Sequence, residues 1–162
     1  MKNKSQKLPY GIKQQCLWII RDYDRMNREY MRMRKDIIDA GGSNSATYTE
    51  SLPNGKSEER RAFLPHSHGS SRPVENKQAQ LEALENTLTA KQVRAVKRAL
   101  GRVGIGLPEA LADALRDGIM INCQNGRKYP FERLYMTGIS RSDFYRHRNQ
   151  FFFEIAEELQ LF

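Results

Sequence analysis

The sequence predicts an all-α fold: a helical bundle with a long N-terminal helix and a C-terminal helix-turn-helix. Three observations carry this prediction. Apolar residues recur at helical spacing over long stretches. No stretch shows convincing strand alternation. Residues 129 to 148, Tyr-Pro-Phe-Glu-Arg-Leu-Tyr-Met-Thr-Gly-Ile-Ser-Arg-Ser-Asp-Phe-Tyr-Arg-His-Arg, read as a short helix, a glycine turn and a second helix dense in arginine.

Residues 8 to 40 form the first element. Ile12, Cys16, Ile19, Ile20, Tyr23, Met26, Tyr30, Met33 and Ile37 make a helical stripe, and Ala40-Gly41-Gly42 stops it. Arg21, Asp22, Arg25, Arg28, Glu29, Arg32, Arg34 and Lys35 make the other face charged. Such a helix packs on the rest of the protein, on a copy of itself or on a partner. The acids between its bases argue against a membrane-surface helix.

Residues 41 to 73 change character. Gly, Ser, Asn, Thr, Pro and His dominate, and too little apolar surface is present to offset ordering entropy. The expectation is a flexible linker. His66 and His68 lie within it without a Cys or carboxylate cluster beside them, so no zinc site is predicted.

Helical pattern resumes from Val74 to about Val103, through Leu81, Leu84, Leu88, Val93, Val96 and Leu100. Thr89 is a candidate cap that would divide the segment. The stretch from Lys91 to Arg102 carries Lys91, Arg94, Lys97, Arg98 and Arg102 with no acid among them. This face has two readings: a solvated helix surface, or a contact along a phosphate backbone through residues such as Lys97 and Arg98. Gly101-Arg-Val-Gly-Ile-Gly106 follows no strand and is read as a helix stop and turn, not a nucleotide loop. Pro108-Glu109 opens another helix to about Asn122, with Leu111, Ala114, Leu115, Ile119 and Met120 inward. Asn125-Gly126 marks a turn before the arginine-rich motif.

In that motif Pro130 suits a first helical turn, Gly138 suits a positive φ, and Ser140 can cap the helix with Asp143 three residues on. Arg141, Ser142, Tyr145, Arg146, Arg148 and Asn149 follow, side chains that bond phosphates and base edges. His147 is read as a DNA contact or a partly buried packing residue. Phe144, Phe151, Phe152, Ile155 and Leu159 would hold the helix to a core.

Composition agrees with a polyanionic partner. The 162 residues hold 27 Lys and Arg against 19 Asp and Glu, a formal net charge of +8. No run of about 18 apolar residues would span a bilayer, and no apolar h-region of a signal peptide follows the basic N-terminus. Cys16 and Cys123, far apart, fit a reduced cytosolic pair and a cytoplasmic location. No nucleophile elbow, phosphate loop or metal-spaced set appears, so neither an enzyme nor a cofactor is expected.

Ile139-Ser-Arg-Ser-Asp-Phe-Tyr-Arg-His-Arg-Asn-Gln-Phe151, followed by Ile155, Ala156, Leu159 and Leu161, resembles the C-terminus of phage and prophage transcriptional regulators of the RinA and ArpU types. Their helix-turn-helix is similar to region four of sigma factors. The resemblance covers roughly residues 75 to 162. It implies that Ser140, Arg141, Ser142, Tyr145, Arg146 and Arg148 face DNA and that Phe144 is buried. Two positions depart from the pattern: Leu134 replaces a small residue, and His147 an apolar one.

The expectation is therefore a sequence-specific double-stranded DNA-binding transcriptional regulator of phage type, with residues 74–162 as the DNA-binding domain and the motif at 129–159. RNA polymerase contact and self-association through the N-terminal helix are further partner expectations. The rivals are a DNA-packaging small subunit that forms a ring, and an adaptor that binds RNA polymerase or another protein.

Overall fold

The computed structural model describes residues 7–40, 45–51, 57–63 and 73–162, with side chains for 7–40, 76–126 and 128–162. Five helices carry the fold: α1 (Tyr10–Ala40), α2 (Pro73–Glu85), α3 (Leu88–Arg102), α4 (Glu109–Gln124) and α5 (Arg141–Glu158). The helical bundle is the predicted one. The departure from it is a two-stranded antiparallel hairpin, β1 (Ser45–Ser51) with β2 (Ser57–Phe63), paired from Ser45 opposite Phe63 to Ser51 opposite Ser57. It falls inside the predicted linker. Thr47-Tyr48-Thr49 has the β-branched and aromatic character of a strand, and Asn54-Gly55 is a hairpin signal between the two segments. Polar composition masked both. The remainder of the predicted linker, with His66 and His68, lies outside the described residues.

Two compact units divide the chain, one of residues 1–30 with 86–162 and the other of residues 31–85. The boundaries differ from the sequence expectation, which kept the N-terminal helix apart from residues 74–162. The cause is the stripe on α1. Cys16 and Ile20 are fully buried in one core with Val96, Ala99, Leu115, Ile119, Phe144, Phe151, Phe152 and Ile155. The Cys16 thiol also donates to the Phe152 carbonyl at 3.5 Å, and the Arg21 Nε to the Cys123 carbonyl at 3.4 Å. The first part of α1 is therefore a wall of the bundle. In the second unit, Lys77 Nζ donates to the Ile38 carbonyl at 2.7 Å, which satisfies an end-of-helix acceptor on α1 and sets a positive charge at its negative pole.

Local signals explain the helix ends. Thr87, not Thr89, caps α3, and its hydroxyl accepts from the Ala90 N–H at 3.2 Å. Leu88 is the first residue past that cap and is exposed, so it stands outside the core stripe that begins at Ala90. Gly104 ends α3 at φ +78°, and a Cβ there would lie 2.8 Å from the Ala112 Cβ. Arg116 Nε donates to the Val103 carbonyl at 3.1 Å and ties the same end of α3 to α4. On α4 the inward residues are Ala112, Leu115, Gly118, Ile119, Asn122 and Cys123; of the others predicted inward, Leu111 and Met120 are half-buried and Ala114 is exposed. Among the described residues no helix is long and apolar enough to cross a membrane.

Phe144 is fully buried, its ring 5.4 Å from that of Phe131 and 5.3 Å from that of Tyr145. Removing a core phenylalanine ring costs about 3–5 kcal/mol through lost transfer energy and the cavity left. Phe144→Ala should therefore melt well below the parent; a superimposable thermal melt would place the ring outside the core.

Candidate nucleic-acid interface

The segment before α5 is not the helix the sequence predicted. Pro130 is extended, at ψ 167°, and a single 3-10 turn follows, Phe131–Arg133. Tyr135 then takes φ +50° and Gly138 φ +85°, so the chain turns twice where a short helix was expected. A left-handed residue immediately after one turn prevents the helix from propagating. The helix that precedes α5 is α4, and residues 125–140 connect the two.

α5 itself starts as predicted. Ser140 caps it: the hydroxyl oxygen accepts from the Asp143 N–H at 3.1 Å and the hydroxyl lies 2.7 Å from the Asp143 carboxylate. One face of α5 then buries Phe144, Phe151 and Ile155. The 3.6-residue period turns Ser142, Arg146 and Asn149 to the opposite, solvent side, and all three are exposed. Arg141 and Arg146 have side chains 69% and 73% exposed, and each holds one acid, Glu132 at 3.1 Å and Asp143 at 2.8 Å. Exposed pairs of this kind contribute about 0–1 kcal/mol, so both guanidiniums can exchange partners.

The remaining predicted residues separate. Ser140 is exposed but engaged as the cap. Tyr145 is half-buried, edge-on to Phe144, with the Arg141 and Arg148 guanidiniums 5.8 and 5.2 Å from its ring centre. Arg148 departs from the expectation that it faces DNA. It points back toward α4, where its Nη1 donates to the Asn122 amide oxygen at 2.6 Å, and it lies 5.3 Å from the Phe152 ring centre. Asn122, itself buried, passes the connection on to the Tyr129 carbonyl at 2.7 Å. The Arg148 Nε is buried without a protein partner among the described residues. Arg148 thus ties α5 to the end of α4. His147 is half-buried, and burial, helped by the neighbouring Arg146, pushes its pKa below the usual histidine value against the opposing pull of Asp143.

On α3, Lys97 and Arg98 are exposed. The stretch carries no acid of its own, but α5 supplies two. Arg98 pairs with Glu158 at 3.2 Å, and Arg102 reaches Glu158 at 3.3 Å and the buried Glu154 at 4.0 Å. These carboxylates lie 52 to 60 residues further along the chain, so local sequence cannot show that part of the basic face is already neutralised. Asn122, Glu154 and Glu158 carry no local signal of these contacts for the same reason.

Neither thiol is poised for chemistry. Burial pushes Cys16 up to about 11 and Cys123 up to about 12, the latter despite the nearby Arg148 and Arg21 charges, and both are free. Among the described residues no three His, Cys, Asp or Glu side chains gather as a metal site. No protein-family model, curated protein or solved structure matches this chain.

Arg148→Ala leaves the buried Asn122 oxygen without its donor and should cost about 1–3 kcal/mol of stability, whereas Arg146→Ala should stay within about 0.5 kcal/mol. Equal denaturant midpoints for the two variants would contradict the assigned roles. For His147 the folded state disfavours the proton, so the unfolded chain binds more protons on acidification. Its contribution to stability is complete above the ordinary value of 6.5 and declines as pH falls through it. Melts of the parent should lose more stability than those of His147→Gln between pH 7.5 and 5.5; parallel losses would count against a shifted histidine.

Proposed function

We propose that this chain is a sequence-specific double-stranded DNA-binding protein that regulates transcription in the cytoplasm, as phage and prophage regulators do. The observation that carries the reading is the division of α5 into an anchored aromatic face and an exposed face bearing Ser142, Arg146 and Asn149, with Arg141 beside it. Arginine bonds guanine O6 and N7 in two places, and asparagine bonds adenine N6 and N7 likewise, so these residue types read a major groove directly. The net charge of +8 supplies attraction to phosphate, which accounts for sequence-independent affinity. Tyr145, half-buried with the Arg141 and Arg148 guanidiniums near its ring, adds a hydroxyl able to bond a phosphate.

In this reading Arg141 and Arg146 leave Glu132 and Asp143 when DNA arrives. The exchange is cheap because the pairs are exposed, and it discriminates against small anions, since a duplex offers several phosphates at once. Lys97 makes the more effective phosphate contact on α3, because Arg98 is held by Glu158.

A second reading, an adaptor for RNA polymerase or another protein, is favoured by Trp18. Its side chain is 72% exposed on α1 beside a groove of about 490 Å³ that Leu88, Gln92, Leu159 and Leu161 also line. Large exposed aromatics of this kind anchor protein interfaces.

Fluorescence titration with duplexes selected from a random pool separates the two. The parent should bind with strong salt dependence. Arg141→Ala and Arg146→Ala should each lose about 1–3 kcal/mol and relax preference at one base position. A parent with no salt-dependent duplex affinity would leave only the adaptor reading.

A further inference from the structure

The loop between α4 and α5 carries a strained and fully presented tyrosine. Tyr135 has φ +50°, in the left-handed region where a bulky side chain is disfavoured. It is 87% exposed, more than any other large apolar side chain among the described residues. Only Gln160, which ends α5, is another described non-glycine residue with positive φ.

The neighbours of Tyr135 explain how it is held. Leu134 and Met136 both turn inward onto Gly118 of α4: a Cβ built on that glycine would lie 3.5 Å from Leu134 Cδ1 and 2.9 Å from Met136 Sδ. With the residues on either side anchored, the backbone at 135 takes the left-handed turn and its ring is directed out. Packing alone gives no reason for tyrosine here, since glycine or asparagine would take this φ at less cost.

In sequence the ring belongs to a basic stretch that leads into α5, and in space it lines a groove with Leu111, Ala114, Asp117 and Ile121 of α4. Residues 127 to 141 hold four bases, Arg127, Lys128, Arg133 and Arg141, against one acid, Glu132. That acid pairs with Arg141 at 3.1 Å, which ties the 3-10 turn to the first residue of α5. Lys128 and Arg133 are exposed, and Arg133 Nη1 donates to the Lys128 carbonyl at 3.1 Å, which braces the turn.

We infer that the 128–135 loop is a second contact for the same duplex, in which the Tyr135 hydroxyl bonds the sugar-phosphate backbone while Lys128 and Arg133 neutralise phosphates. This rests on the proposed DNA binding by α5 and adds a contact that positions the duplex without reading its sequence. The exposed Lys128 and Arg133, on the turn that leads to the ring, favour a polyanion over a protein surface as the occupant, and Asp117 of α4 shares the groove that the ring lines.

The test uses the full chain with Tyr135→Gly, which removes both the ring and the strain. Its melting temperature should equal or exceed the parent's. Its affinity should fall about threefold to tenfold, the worth of one hydrogen bond, on selected and unrelated duplexes alike, with the preferred sequence unchanged. Lys128→Gln should flatten the salt dependence by about one unit per lost phosphate contact. A stable Tyr135→Gly that binds every duplex as the parent does overturns this inference and leaves the α5 reading standing. A lower melting temperature would mean that the ring packs, and it overturns the inference as well. A parent that binds no duplex overturns both.

Discussion

Burial of the aromatic face of α5 is the constraint on which the rest depends. Phe144, Phe151, Phe152 and Ile155 enter a core walled by α1, α3 and α4. Gly118 lies at this contact: a Cβ there would meet Phe144 Cε2 and Leu134 Cδ1 at an ordinary 3.5 Å, and would stand 2.9 Å from Met136 Sδ, which would have to shift. Once that face is fixed, helical periodicity leaves no freedom for the opposite one. Ser142, Arg146 and Asn149 must then meet solvent, and whatever binds there meets them as a set.

Polar connections refine this arrangement. The Tyr129 carbonyl, Asn122, Arg148 and the Tyr145 ring form one chain of contacts from the end of α4 to the outer edge of α5. Buried polar groups are costly unless paired, so these partners specify one register between the helices more than they add stability. The pairs of Arg98 and Arg102 with Glu154 and Glu158 do similar work on the other flank, and they take positive charge away from α3.

Much of this was legible in the sequence. The stripe on α1, the split between α2 and α3, the Ser140 cap and the buried Phe144 all follow from periodicity and capping, which act within a few residues. What was not legible depends on distant partners. Arg148 reads like its neighbours until Asn122 is placed beside it, and Arg98 looks uncompensated until α5 brings Glu158. The predicted short helix at Pro130 failed because Leu134 and Met136 both anchor on Gly118, and a tertiary contact of that kind overrides local propensity. The hairpin had a local signal in Asn54-Gly55, which a polar composition outweighed.

On the proposed function, the outward face of α5 meets duplex DNA. Amide chemical shifts of the parent chain, followed by NMR as a selected duplex is added, test it without any substitution. Shifts should concentrate at Arg141, Ser142, Arg146 and Asn149, with little change around Trp18 on α1. Shifts confined to α1, or none at a duplex concentration that saturates other basic proteins, would contradict it.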